Sequence, residues 1–260
     1  MSVRALDRYR AILCDLDGCL ISGETVLPGA GQLVAAAGAR LFIVSNNSTD
    51  TSETLSARLS ALGIAVPAER LVLAGATSLE MLAQEMPGAR VALYAAPALG
   101  AHAEAAGLVL DDTAPAVAVL ARDTGLTYPR LASLIRHASA GVPLVVTNPD
   151  ASHPAADGTP VPETGALLDA VRACLPDLHV RIIGKPETAL IDEALRRAGA
   201  APGEALFIGD NPATDGAGAA RAGLDFALIA GPSANGTCSA EAPTTLLDLL
   251  SERGSLTLAG

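Results

Sequence analysis

The sequence contains no tryptophan and only three tyrosines and three phenylalanines in 260 residues. Any core must therefore come from aliphatic side chains, and alanine supplies much of the hydrophobic half of the composition. Small residues in that number suit helices packed closely on a sheet. Positive charge is also scarce, with 17 Lys and Arg against 28 Asp and Glu and a formal charge of −11. Phosphate backbones are bound by clustered Lys and Arg, so no nucleic-acid partner is expected. An acidic protein that handles an anionic ligand must supply positive charge locally, from a metal, a lysine or helix amino termini.

Long apolar runs are missing as well. Nothing approaches the ~18 uninterrupted apolar residues of a spanning helix, so no membrane partner is expected. The amino terminus carries Arg4, Asp7, Arg8 and Arg10 where a secretory segment would be apolar. The four cysteines, Cys14, Cys19, Cys174 and Cys238, show neither C-x-x-C spacing nor a disulfide framework. Reduced thiols in a cytoplasmic protein are the expectation. There is no repeat of fixed period.

The most informative stretch that is present runs from Arg10 to Leu20, R-A-I-L-C-D-L-D-G-C-L. Its apolar segment Ala11 to Cys14 reads as a buried parallel strand. Asp15 and Asp17 then fall at the carboxyl end, where open α/β sheets keep their binding crevice. Two carboxylates that close repel, so the spacing calls for an offsetting cation or a shared proton. A hard divalent ion such as Mg²⁺ would serve. Taken alone, D-x-D-G is equally a turn, and three later stretches supply the context: S-N-N at 45–47, G-K-P at 184–186 and G-D-N-P-A-T-D at 209–215.

In chain order, Gly18 to Pro28 reads as a small hairpin or flap, and a helix follows to about Ala37, closed by Gly38. Arg40 to Val44 reads as a second buried strand ending on Ser45, Asn46 and Asn47, ahead of a helix over 51–62. Those polar residues can present a hydroxyl and N–H groups to a phosphate, or simply cap the helix. Further on, strands are expected over 90–95, 116–121 and 143–147, and helices over 98–106 and 128–139. The last of these strands ends in T-N-P-D, 147–150, followed by His153 and then by V-P-E-T-G, 161–165. Arg181 to Ile183 reads as the strand on which the first domain resumes, with Lys185 beyond it. A helix over 188–198 and a strand over 205–208 follow, delivering Asp210 and Asn211 at the strand tip, with Asp215 a turn later. Strand 225–229 and a helix near 244–250 close the chain. The economical architecture is an α/β protein whose doubly wound parallel-sheet core, 1–78 and 181–260, is interrupted by an α/β insert over 79–180. Acidic groups from separate regions then share one sheet edge, which a divalent cation explains and stability alone does not.

Taken together, the four stretches resemble the haloacid dehalogenase (HAD) superfamily, and their order and spacing resemble its subfamily IIA, the NagD-like and p-nitrophenyl-phosphatase-like branch. The resemblance implies a Rossmann-like HAD core with an inserted α/β cap and a Mg²⁺-dependent phosphatase of small phosphomonoesters acting through an aspartyl-phosphate. It assigns Asp15 as nucleophile, Asp17 as general acid/base, Lys185 as the motif lysine, and Ser45, Asn46 and Asn47 to phosphate binding. Asp210 matches a Mg²⁺ ligand, Asp215 supports the metal, and Asp15 and the backbone of Asp17 complete the set. From the insert, Asn148, Asp150 and His153 are candidates for a substrate-facing edge. The implied partner is a small phosphorylated metabolite such as a nucleotide, a sugar phosphate or phosphoglycolate, and the resemblance leaves room for a homodimer formed through the cap. The sequence departs from the family in two places. Cys19 stands where Thr or Val is common, with its side chain expected to face the flap, and Glu163 stands where a small residue is common. Glu163 would disfavour highly anionic substrates unless it turns outward. His102, His137 and His179 read as surface residues. The alternatives are a phospho-aspartate signalling receiver and a HAD-fold binding protein without catalysis.

Overall fold

A computed structural model of the chain describes residues 3–155, 158–229 and 246–250. Its short, wholly apolar runs form two parallel sheets, one in each of two compact units. The first unit comprises Met1–Ser45, Glu53–Val72 and Lys185–Gly260, and the second comprises Asn46–Ser52 and Leu73–Gly184.

The sheet of the first unit has the order Asp225–Leu228, Ala205–Gly209, Ala11–Cys14, Leu41–Ser45, Leu71–Leu73. The central strand pairs in parallel with both neighbours, Ile12 lying opposite Leu206 on one side and Leu41 on the other. Every residue of these three central strands is buried. That is why they read as continuous apolar runs with no alternation. From the central strand the chain winds outward to 41–45 and 71–73, and later to 205–209 and 225–228 on the opposite side. The order therefore reverses at Ala11–Cys14, and a doubly wound sheet opens its crevice at the carboxyl ends beside such a point.

Helices flank the sheet for reasons visible in their sequences. Ala189–Ala198 buries Leu190, Ile191, Ala194 and Leu195 and stops at Gly199, whose φ of 60° suits a left-handed helix cap. Each of its buried Leu or Ile side chains contributes about 1.5–3 kcal/mol. The expected flap is a two-stranded hairpin, Ile21–Ser22 against Thr25–Val26.

The sheet of the second unit has the order Arg181–Ile182, Leu144–Val146, Val117–Leu120, Arg90–Tyr94, Val109–Leu110 and is parallel throughout. Ala92, Tyr94, Ala118, Leu120, Leu144 and Val146 form its core with Leu134, Leu168 and Val171 of the helices Tyr128–Ser139 and Thr164–Cys174. The loop after T-N-P-D contains a hairpin, Ser152–Pro154 with Pro160–Pro162.

Two sequence expectations are corrected here. The strand at 181–182, expected to open the returning half of the core, pairs with Leu144–Val146 in the second sheet. Ile182 packs on that unit's core, and Arg181 donates to both oxygens of Glu85 at 2.5 and 2.7 Å. The chain passes between the units at 45/46, 52/53, 72/73 and 184/185, where 78/79 and 180/181 were expected. His137, expected at the surface, is buried, with Nδ1 3.0 Å from Tyr94 Oη and Nε2 3.1 Å from the Asp112 carbonyl. Cys238 and the start of the last expected helix lie outside the described residues, within which that helix spans Leu246–Leu250.

Candidate active site

The central strand ends at Cys14 and delivers Asp15 to the sheet edge, where it is buried at 8% exposure. Lys185 reaches the same point from the far end of the sequence and is 2% exposed. Its ammonium donates to Asp15 Oδ1 at 2.5 Å, to Asp215 Oδ1 at 2.7 Å and to the Val44 carbonyl at 3.0 Å. Three oxygens from three segments thus satisfy all three donors of one buried ammonium. Asp215 is itself held by the Asn211 N–H, which donates to Oδ2 at 3.1 Å. Both of its oxygens are therefore engaged by protein groups.

Two glycines make room for these carboxylates. A Cβ on Gly18 would lie 2.1 Å from Asp210 Oδ2, and one on Gly209 would lie 2.4 Å from the Asp215 carboxylate. The D-G and G-D pairs of the sequence are in this sense spatial requirements. Ser45 ends the neighbouring strand and is 2% exposed. Asp17 lies exposed just past Asp15 and bridges to Ile21 at the base of the hairpin.

Electrostatics follow from this crowding. Burial pushes the Asp15 carboxyl well above its ordinary range; Lys185 opposes the shift, and Asp215 and Asp210 reinforce it. Burial likewise works against charge on Lys185, but Asp15 and Asp215 outweigh it and hold the ammonium protonated. Asp210 is pushed up to about 6, by burial first and then by Asp215. Three carboxylates share a single ammonium, and the remaining negative charge matches a divalent cation. Oxygens of Asp15 and Asp210 and the sulfur of Cys19 all lie within 4.8 Å of one another. The oxygen donors fit a hard cation such as Mg²⁺.

Cys19 was expected to face the flap. It is instead 2% exposed with its sulfur among the carboxylates. Its thiol is raised well above the usual range, first by a hydrogen bond with Cys14 and then by burial. No local signal in the sequence fixes the direction of this side chain.

The remaining candidates belong to the second unit. Asn47 Oδ1 accepts from the Thr49 and Asp50 N–H groups, the capping work that Asx side chains commonly do. Asn46 Nδ2 donates to Asp150 Oδ2 at 3.1 Å. Asn148, proposed from sequence for a substrate-facing edge, is fully buried. Its amide nitrogen lies 2.9 Å from the Asn46 carbonyl and 3.1 Å from both Ser48 Oγ and Thr164 Oγ1, while its oxygen accepts from the Asp150 N–H. A side chain so enclosed and so engaged presents nothing to solvent, which corrects that assignment. Glu163 Oε1 sits 2.7 Å from His153 Nδ1 and 3.4 Å from Arg122 Nε, so its charge is met within its own unit. Arg122 was missed in the sequence, where nothing marks a lone arginine after a strand.

Residues 12–109 match the family model of haloacid dehalogenase-like hydrolases, and residues 182–252 match a second model described as HAD-hydrolase-like. The chain is 30% identical over 224 residues to an acid sugar phosphatase of Staphylococcus aureus, covering 85% of this chain and 86% of that protein. The chain belongs to the haloacid dehalogenase-like hydrolases. Among solved structures, a 4-nitrophenylphosphatase of Thermotoga maritima superposes with a TM-score of 0.86 at 26% identity, covering 96% of this chain and 98% of that one. A glycerol phosphate phosphatase of Mycobacterium tuberculosis, in complex with magnesium, superposes with a TM-score of 0.81 at 29% identity, covering 88% of this chain and 70% of that one. The family assignment agrees with the parallel α/β fold expected from the sequence. This HAD-family member is an enzyme, a phosphoric monoester hydrolase. Among the described residues, no helix is long and apolar enough to cross a membrane.

Proposed function

We propose that this HAD hydrolase cleaves small phosphomonoesters of the sugar phosphate or glycerol phosphate kind, using Asp15 as nucleophile and Mg²⁺ as cofactor. The supporting observation is the Lys185 ammonium clamped between Asp15 and Asp215 at the tip of the central strand, with Asp210 beside it. A phosphate monoester is an anion, and so is the carboxylate that must attack it. Lys185 offsets that repulsion and fixes one Asp15 oxygen, leaving the other to attack in line. Attack converts one hard hydrolysis into two steps through an aspartyl-phosphate.

In the first step the phosphorus–oxygen bond to the leaving group breaks as Asp15 bonds to phosphorus, and Asp17 gives its proton to the departing alkoxide. In the second, Asp17 takes a proton from water as that water attacks phosphorus, releasing phosphate and restoring the Asp15 carboxylate. The exposed position of Asp17 suits exchange with substrate and solvent. Ser45, with N–H groups at the start of the 45–47 segment, is assigned to the phosphate oxygens. A divalent ion on Asp15, Asp210 and the Asp17 carbonyl, with Asp215 in support, would stabilise charge on the transferred group.

The second unit is the cap that selects among substrates, and pairing of two copies through it is compatible with this reading. The described cysteines, Cys14, Cys19 and Cys174, are free thiols, which suits a reducing compartment such as the cytoplasm. The test is phosphate release across a panel of phosphorylated metabolites, with Mg²⁺ and with chelator, joined to acid-quench trapping of the phosphoenzyme. Asp17→Asn should accumulate phosphate on Asp15 that the unmodified enzyme discharges. Rapid turnover by Asp15→Asn would remove the covalent mechanism.

A further inference from the structure

Cys19 is the one donor at this site whose chemistry does not suit magnesium. Gly18 turns the chain at φ +85°, its N–H donates to the Ile21 carbonyl at 2.8 Å, and the Leu20 N–H donates to the Leu16 carbonyl at 2.9 Å. Leu20 and Ile21 are both fully buried. These contacts anchor the loop and leave the Cys19 sulfur beside the Asp15 and Asp210 oxygens, all three atoms within 4.8 Å of one another. Bonds of about 2.3 Å to sulfur and about 2.1 Å to oxygen set donors roughly 3.6 Å apart around a tetrahedral ion, so the three atoms would draw together by up to about 1 Å to share one. Cys14 is not part of this group of converging donors: its sulfur lies 3.1 Å from the Asp15 carbonyl and against the Cys19 thiol.

Thiolate selects thiophilic ions, whereas carboxylate and water suit Mg²⁺. We propose that Cys19 makes the divalent-ion site of this chain a mixed oxygen–sulfur site that takes Cd²⁺ or Zn²⁺ in preference to Mg²⁺, through Asp15, Asp210 and the Cys19 sulfur. The inference rests on the metal site proposed above and adds to it a sensitivity to soft metals. As the sulfur–metal bond forms, the thiol proton passes to solvent. The carboxylate so engaged is the proposed nucleophile, so a soft ion bound in this way stops turnover.

The test uses the full chain with Cys174→Ser and Cys238→Ser, so that neither of those thiols binds metal. Cd²⁺ and, separately, Mg²⁺ are titrated by calorimetry, and the near-ultraviolet sulfur-to-cadmium charge-transfer band is recorded in parallel. Cys19 intact should bind one Cd²⁺ with that band. Cys19→Val should lose the band and lose Cd²⁺ affinity by at least the roughly 10- to 100-fold that a lost supporting contact costs a metal site. Its Mg²⁺ affinity should change far less, since sulfur is a poor ligand for a hard cation. Cys19→Ser, checked for folding by circular dichroism, repeats the comparison if the valine variant does not fold. Equal Cd²⁺ affinity in the parent and a folded variant, or Cd²⁺ binding without the band, overturns the role of Cys19 while leaving the metal site intact. Failure of the parent to bind either ion overturns both.

Discussion

Gly18 and Asp210 fit together only because one of them has no side chain: a Cβ on Gly18 would stand 2.1 Å from Asp210 Oδ2. Gly18 also has φ +85°, a conformation that L side chains rarely adopt. Gly18→Ala is therefore expected to push the Asp210 carboxylate away from Asp15 and to strain the turn beneath Cys19. Mg²⁺ affinity and turnover should fall by roughly 10- to 100-fold or more, the scale seen when a metal site loses its supporting geometry. Calorimetric Mg²⁺ titration, with circular dichroism to confirm the fold, checks this; unchanged affinity would mean that Asp210 is not a ligand.

Lys185 is the chain's only lysine; every other residue among the 17 Lys and Arg is arginine. The pocket explains the exception, since a compact ammonium can meet three oxygens where a planar guanidinium fork cannot fit. Lys185→Arg should consequently behave as a severe substitution. Lys185→Met should leave Asp15 and Asp215 buried without a cation and cost about 3–5 kcal/mol at neutral pH. That deficit should narrow in acid, where protonating a carboxyl removes the repulsion. Urea unfolding at two pH values measures it, and an arginine variant with parental stability and turnover would contradict the account.

These two residues also show what the sequence made legible. Strands of the first sheet could be read because each is a short apolar run that is buried on both faces and ends on polar residues. The acidic tips could be read because carboxylates gathered at one sheet edge need a cation. The direction of Cys19 could not be read, because it depends on the backbone angle of Gly18 and on a hairpin two residues wide. Asn148 escaped for a different reason: its partners at Asn46 and Ser48 are about a hundred positions away, and a T-N-P-D stretch looks like surface loop until they are known. The strand Leu71–Leu73 and the helix Ala74–Glu85 were passed over because no side chain caps the helix start to mark the boundary. The lone lysine was a signal available from composition alone.

Asp210 gives the site a predictable pH response. Its folded carboxyl titrates at about 6, against an ordinary value of 3.8, so the folded protein holds this proton more tightly than the unfolded chain does. The resulting stabilisation is complete below about pH 4 and is lost as pH rises through about 6. In chelator, the parent should therefore lose melting temperature relative to Asp210→Asn across that interval. Mg²⁺ should restore it at the upper end, where the ion displaces the proton. Paired thermal melts of the two proteins read this group together with its coupling to Asp15 and Asp215, and a parent that gains on the variant as pH rises would reverse the sign and refute the assignment.

Asn148 separates a structural role from a substrate-binding one. Its buried amide serves the Asn46 carbonyl, Ser48 and Thr164, and its oxygen receives the Asp150 N–H. Asn148→Ala leaves those buried groups without their partner, and each unsatisfied group costs about 1–3 kcal/mol. The expected outcome is a clear drop in melting temperature. KM for a minimal substrate such as 4-nitrophenyl phosphate should stay near the parental value at temperatures where the variant is folded. If instead KM rises steeply while the melting temperature holds, the side chain contacts substrate, and the enclosed hydrogen-bond network seen here is not the one that matters for binding.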